Sequence, residues 1–78
     1  MEEDISIIIR RSKRSREEKL DLSNRDLTSL PSDLLRLNHL EELDLSNNSL
    51  QILLGKEINK LVNLKILDLS NNKLSSIP

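Results

Sequence analysis

The aliphatic residues of this chain follow two alternating spacings. In three places a leucine-aspartate-leucine unit sets apolar side chains two residues apart, which predicts a short β-strand with its leucines on one side. The three pairs are Leu20/Leu22, Leu43/Leu45 and Leu67/Leu69. Between these units the leucines recur at steps of three or four, which predicts short helical segments, one of them over residues 33–38.

The three units belong to a longer repeat. Residues 40–50 (LEELDLSNNSL) and 64–74 (LKILDLSNNKL) are identical at eight of eleven positions, and residues 17–27 (EEKLDLSNRDL) are a looser copy. One such unit cannot bury its leucines alone, so we expect the three to stack as parallel strands. We therefore predict a charged segment over residues 1–18 and repeats over 19–78. The repeat copies run over residues 17–39, 40–63 and a shortened 64–78.

The shared pattern, L-x-x-L-x-L-x-x-N-x-L, resembles the leucine-rich repeat family. The 23-residue spacing and the segment Leu27-Thr28-Ser29-Leu30-Pro31 are similar to its intracellular class, which includes Ras-suppressor proteins and Ras/Raf scaffolds. The resemblance implies an α/β leucine-rich-repeat solenoid. Short parallel strands would form its concave face, helical or 3₁₀ turns its convex face, and a helix would cap its N-terminal end.

The residues before the first repeat allow two structures. Ile5, Ile8 and Ile9 would share one side of a helix that begins at Asp4, whereas the β-branched run Ile7-Ile8-Ile9 also suits a strand. We favour the helix for residues 4–16. In either form the isoleucines would cover leucines of the first repeat.

Asparagine occupies one fixed place in the motif. Asn48 and Asn72 each lie two residues before the last leucine of the eleven-residue motif. We expect them to form a structural asparagine ladder, with their amides turned inward onto backbone groups that the turn leaves unpaired. Arg25 has this place in the first copy. The arginine side chain carries no hydrogen-bond acceptor atom, and its charge is costly to bury, so we expect the first repeat to be atypical.

Composition removes most kinds of catalytic or ligand site. The chain has 78 residues, no cysteine, no aromatic residue and a single glycine, Gly55. Disulfides, zinc fingers, thiol nucleophiles, glycine-rich phosphate loops and stacking platforms for single-stranded nucleic acid are therefore excluded. His39 is the only histidine. We predict no enzyme, no cofactor, no metal site and no nucleic-acid partner.

Charge and hydropathy bear on location. The formal net charge of −1 indicates no partner, and neither a signal peptide nor an apolar stretch long enough for a membrane span is visible. We predict a cytoplasmic protein without a membrane partner. The basic run of residues 10–16 raises a nuclear location as the alternative, although a solvated helix face explains the run more simply.

The predicted function is protein binding through the concave face. The resemblance implies a non-catalytic scaffold or adaptor in signal transduction, with small-GTPase signalling as its setting. The candidate binding residues are Lys19, Asp21, Ser23, Glu42, Asp44, Ser46, Ile66, Asp68 and Ser70. The three aspartates would stack into an acidic column that could receive lysine or arginine. The alternative is that this motif is only the common filler of such repeats.

Two other hypotheses about the function remain open. The chain could be the regulatory N-terminal repeat region of a larger enzyme, such as a deadenylase, or a truncated fragment without independent function. We also expect an uncovered C-terminal edge that promotes self-association. Its leucines and isoleucine are Leu67, Leu69, Leu74 and Ile77.

Overall fold

The computed structural model describes residues 4–51 and 58–74. Within these ranges the chain forms the α-helix α1 (Ile5–Ser15) and three strands, β1 (Lys19–Asp21), β2 (Glu42–Asp44) and β3 (Ile66–Asp68). The strands make a parallel sheet in the order β1-β2-β3. A 3₁₀ helix, Leu34–Arg36, lies in the return between β1 and β2. The parallel stacking predicted from the repeat is confirmed.

The register of the sheet follows the repeat. Leu20, Leu43 and Leu67 lie side by side on the three strands. Pairing continues past the strand ends, where Leu22 N–H donates to the Asp44 carbonyl and Leu45 N–H to the Asp68 carbonyl, both at 2.8 Å. Equivalent residues of successive repeats therefore make equivalent hydrogen bonds.

Residues 5–15 form a helix rather than a strand, as favoured above. At its start the Asp4 carboxylate accepts hydrogen bonds from the Ser6 backbone N–H at 2.9 Å and the Ser6 hydroxyl at 2.8 Å, as an N-cap does. At its end Arg16 takes a left-handed conformation and donates its N–H to the Ser12 carbonyl. Ile8 and Ile9 are buried and Ile7 is exposed, so the helix turns one side to the repeats.

The core is a column of leucines between the sheet and the returns. Its residues that are less than 1 % exposed are Leu22, Leu34, Leu40, Leu45 and Leu50. Burial is greatest at the central strand, since Leu43 is 1 % exposed, Leu20 is 9 % exposed and Leu67 is only half-buried. Each strand is covered by its neighbours, and no described residue covers the outer edge of β3.

The first return is shorter than predicted. Its 3₁₀ helix spans three residues instead of 33–38, and Asp33 precedes it without a capping side-chain hydrogen bond. The N–H groups of the 3₁₀ residues bond instead to carbonyls three residues earlier, on Pro31, Ser32 and Asp33. The sequence also predicts a looser turn near Leu54-Gly55, where the second return has one extra residue. That turn and the last residues, 75–78, lie outside the described residues.

Candidate functional site

Six of the nine candidate binding residues lie within the strands, on the face opposite the leucines, and the three serines lie in the turns that follow the strands. The register forms two rows across the sheet, Lys19-Glu42-Ile66 and Asp21-Asp44-Asp68. Lys19 Nζ lies 3.8 Å from a Glu42 carboxylate oxygen, and Ile66 is 55 % exposed. The surface is therefore acidic along one row and mixed along the other. We call the aspartate row the acidic row.

Each aspartate of the acidic row also holds the turn that follows its strand. One oxygen, Oδ1, accepts the backbone N–H and the hydroxyl of the serine two residues later. The N–H distances are all 2.9 Å, and the hydroxyl distances are 2.5, 2.6 and 2.7 Å. The serines are Ser23, Ser46 and Ser70, of which Ser46 is buried. The second oxygen, Oδ2, takes no part in these turn hydrogen bonds.

At Asp21 and Asp68 these hydrogen bonds favour the ionised carboxylate. The Ser23 hydroxyl, and then its backbone N–H, hold the pKa of Asp21 below its ordinary value. The Ser70 backbone N–H, and then its hydroxyl, lower the pKa of Asp68 in the same way. A lowered pKa in the folded state stabilises the fold above the unfolded pKa, and this contribution is lost as the pH falls through the folded pKa.

We expect Ser23→Ala to raise the pKa of Asp21 toward its ordinary value, because the hydroxyl bond is lost while the backbone bond remains. The pKa is measured by carboxyl-carbon NMR titration, and urea unfolding at each pH should show a smaller loss of stability in acid. Ser32→Ala removes an exposed hydroxyl elsewhere and is the control. An unchanged Asp21 pKa in Ser23→Ala would show that the hydroxyl bond does not form in solution.

The residue after each of these serines has a positive φ. The angle is 57° for Asn24, 55° for Asn47 and 57° for Asn71. Asparagine tolerates this left-handed region better than most residues. The sequence pattern alone assigns these three asparagines no role. Their recurrence at the same place in every copy was the available signal for a turn requirement.

Asn48 joins the first and second repeats. Its Oδ1 accepts the N–H groups of Arg25 at 3.0 Å and Leu27 at 3.1 Å. Its Nδ2 lies within donating distance of three carbonyls, Leu22 at 2.9 Å, Leu45 at 3.0 Å and Ser46 at 3.2 Å. The side chain is thus the partner of backbone groups from both repeats.

Asn72 has the equivalent place one repeat later. Its Nδ2 reaches the carbonyls of Leu45 at 2.9 Å, Leu69 at 3.0 Å and Ser70 at 3.3 Å, and its Oδ1 accepts the Leu50 N–H at 3.1 Å. It is half-buried, whereas Asn48 is only 6 % exposed. The ladder is therefore more solvated at its C-terminal end.

Arg25 occupies the asparagine place in the first repeat without the asparagine hydrogen bonds. Its side chain is half-buried, and its Nε is buried without a hydrogen-bond partner among the described residues. Its backbone N–H donates a hydrogen bond to Asn48 Oδ1. The Arg25 side chain therefore does not take over the hydrogen bonds that an asparagine makes at this place in the ladder.

We expect Arg25→Asn to change the free energy of unfolding by less than about 1 kcal/mol, because no hydrogen bond is lost and one unpaired buried N–H is removed. Urea unfolding at pH 7 measures the change. A loss above about 2 kcal/mol, the scale of a removed buried interaction, would show that Arg25 has a specific partner in solution.

A groove of about 560 Å³ lies where α1 meets the strand face. Ile8 and Leu20 supply its apolar surface, and Asp21 and Asp44 bring the acidic row to it. The full lining is Ile8, Arg11, Ser12, Ser15, Glu17, Lys19, Leu20, Asp21, Glu42 and Asp44. Sequence reasoning did not find this groove, since it depends on how α1 lies against β1. We call it the strand-side groove.

The structure also places the only histidine. The Ser12 hydroxyl lies 3.3 Å from His39 Nε2. Over residues 4–51 and 58–74, no group of three metal-ligating side chains is close enough to hold an ion. In the same ranges no helix has the length and apolar character to cross a membrane.

Comparison with known proteins now assigns the family. A family model described as leucine rich repeat matches residues 18–77. The chain belongs to the leucine-rich repeat family. Such repeats generally serve as protein-interaction modules. No significant match was found among curated proteins.

A solved leucine-rich repeat protein of Leptospira interrogans is similar to this leucine-rich repeat chain. The two are 27 % identical, and the structures superpose with a TM-score of 0.55 over 99 % of this chain. The chain spans 25 % of the length of that protein.

Proposed function

We propose that this leucine-rich repeat chain is a non-catalytic interaction module that binds a basic segment of a partner protein on its concave face. The acidic row carries the proposal. Asp21, Asp44 and Asp68 lie in register on neighbouring strands, about 5 Å apart. Each uses Oδ1 for its own turn, so the turn does not need Oδ2, and that oxygen can meet a cation.

The strand-side groove extends this surface at one end. It joins two carboxylates of the acidic row to the aliphatic side chains of Ile8 and Leu20. A lysine or arginine next to an aliphatic residue would match both parts, since the stem of a basic side chain packs on apolar surface while its head meets a carboxylate. Three short strands offer less than the roughly 800 Å² per partner of a stable interface, so we expect weak binding.

A displayed random-peptide selection tests this proposal. The wild-type chain should enrich peptides with lysine or arginine beside an aliphatic residue. A triple variant, Asp21→Asn, Asp44→Asn and Asp68→Asn, removes the charges while its amide oxygens can still accept the serine N–H groups. It should lose that enrichment.

The matched control for the triple variant changes carboxylates outside the face, Asp26→Asn with Asp33→Asn. It should select the same peptides as the wild type. Equal enrichment by the triple variant, or selected peptides without basic residues, would overturn the proposal.

The cytoplasmic scaffold role in small-GTPase signalling, and the intracellular class of repeats, belong to the same proposal. Their support is the 23-residue spacing and the Leu27-to-Pro31 segment. The second candidate is a repeat region of a larger enzyme. The similar Leptospira protein is about four times as long as the matched part, which is compatible with both candidates. Further repeats in a full-length transcript support the scaffold, and a nuclease or kinase sequence supports the enzyme.

We also propose that residues 1–78 alone self-associate through the outer edge of β3. Leu67 and Leu69 are half-buried there, and Leu69 N–H lacks, among the described residues, the acceptor that Leu22 and Leu45 have. Unpaired strand edges add further strands. Sedimentation should show an apparent molecular mass that rises with protein concentration. The Leu69→Lys variant should show a smaller rise. A monomeric profile with a sharp melt would contradict this prediction.

A further inference from the structure

The second flank of α1 faces a different groove. Arg10 and Lys13 lie one helical turn apart on this flank, and Arg36 faces them from the 3₁₀ helix. The residues of the strand-side groove lie on the other flank of the same helix. We call this second feature the basic groove. It is separate from the concave face, so the inference does not rest on the proposed function.

The basic groove carries net positive charge. Outside its lining, the Asp4 carboxylate is close enough to Arg10 to interact with it electrostatically. Three cations line it, and Asp33 is its only acidic lining residue, which leaves a formal charge of +2. Within the described residues, no ion pair shorter than 4 Å joins Arg10, Lys13 or Arg36 to a carboxylate. Like charges brought together in this way repel one another, and a bound anion would relieve the repulsion.

The size of the basic groove limits what enters it. Its volume is about 200 Å³, and the buried side chains of Ile9 and Leu37 help to line it. Small-molecule sites commonly measure about 300–1,000 Å³. The groove therefore has room for one anionic group of a larger ligand rather than for a whole cofactor.

Charge and shape select the kind of anion. A phosphate monoester carries about −1.5 to −2 at neutral pH, which balances the groove, whereas one carboxylate would leave a positive charge. Two guanidinium groups offer forked N–H donors that match phosphate oxygens, and the lysine adds a point charge. A recessed groove of this size also fits a projecting side chain better than the flat surface of a membrane.

We propose that the basic groove binds the phosphate of a phosphorylated serine or threonine in a partner peptide. Arg10 and Arg36 hold the phosphate from two sides, and Lys13 completes the charge balance. The apolar surface receives the residue next to the phosphorylated one.

Three blocked peptides test the proposal by NMR titration of the full chain. They are acetyl-Gly-phosphoserine-Leu amide and the same peptide with serine or with glutamate in its place. The phosphopeptide should shift the side-chain N–H signals of Arg10 and Arg36. It should also bind at least about tenfold more tightly than the other two peptides, since hydrogen bonds to charged groups are strong.

The variants separate the groove from general positive charge. Arg36→Gln should weaken phosphopeptide binding about tenfold. Arg14→Gln removes one charge from an exposed position of α1 outside the groove and should leave binding within about twofold. Amide spectra of both variants should keep the wild-type pattern, which shows that the fold is intact.

Three results would overturn the proposal. These are equal weakening by both variants, glutamate-peptide binding as tight as phosphopeptide binding, and binding to vesicles containing phosphatidylserine with no response to the phosphopeptide. The last result would assign the positive charge to a membrane surface.

Discussion

Replacing Asn48 with alanine is expected to lower the free energy of unfolding by about 3–5 kcal/mol, because several buried backbone groups lose their partner at once. The N–H groups of Arg25 and Leu27 lose their acceptor, and the Leu22 and Leu45 carbonyls lose their donor. Each buried group left unpaired costs about 1–3 kcal/mol. Water can reach some of them, which keeps the total below the sum.

Urea unfolding followed by circular dichroism measures this loss, with sucrose added if the variant is unfolded in buffer. Asn72→Ala is the matched control, since its side chain makes the same kind of contacts at a more exposed position. It should cost about 1–2 kcal/mol. Equal losses in the two variants would show that burial of the ladder does not determine its contribution.

The Asn48→Asp variant tests the acceptor atom and the donor atom of the side-chain amide separately. Its carboxylate keeps the acceptor for Arg25 and Leu27 N–H but repels the carbonyls that Nδ2 now bonds. We expect a loss comparable to that of alanine at pH 7, partly recovered in acid as the group becomes protonated. A loss that does not depend on pH would contradict this account of the donor half.

The sequence predicted the strands and their pairing, because both follow from the repeat. Alternation in leucine-aspartate-leucine predicts strands, and recurrence every 23 or 24 residues predicts which strands pair and in what register. The parallel sheet has that register, with Leu20 beside Leu43 and Leu43 beside Leu67. Periodicity was sufficient because each repeat can bury its leucines in only one way, against the next repeat.

The local turn geometry was beyond the pattern. The alternating pattern predicts that aspartate and serine, two residues apart, are successive exposed positions of one face. In the structure, Asp44 bonds Ser46 within the turn, and Ser46 is buried. Alternation describes which side of a strand a residue faces, and it says nothing about a chain that has begun to turn. The positive φ of Asn47 was missed for the same reason.

Both grooves depend on the docking of α1, which the sequence did not fix. Helical period shows that Ile8 and Ile9 face the repeats, but the angle of approach depends on tertiary packing. That angle brings Arg11 near Asp21 on one flank and Lys13 near Arg36 on the other. The helix therefore shapes the candidate surfaces as well as covering leucines.

Ile9→Ala is expected to destabilise the chain by about 2–5 kcal/mol, the usual range for isoleucine truncated in a core. Ile9 is 4 % exposed and belongs to the same hydrophobic cluster as Leu22 and Leu34, so the change leaves a cavity between α1 and the first repeat. If α1 caps the N-terminal end of the stack, as the family resemblance implies, loosening it also exposes the leucines of β1 to water.

Ile7→Ala is the matched control, because it removes the same atoms from the same helix at a position that is 46 % exposed. It should cost less than about 1 kcal/mol. Urea unfolding compares the two variants, and hydrogen exchange shows where protection is lost. In Ile9→Ala the amides of β1 should lose more protection than those of β2. Stability losses that do not differ would mean that α1 does not pack on the repeats in solution.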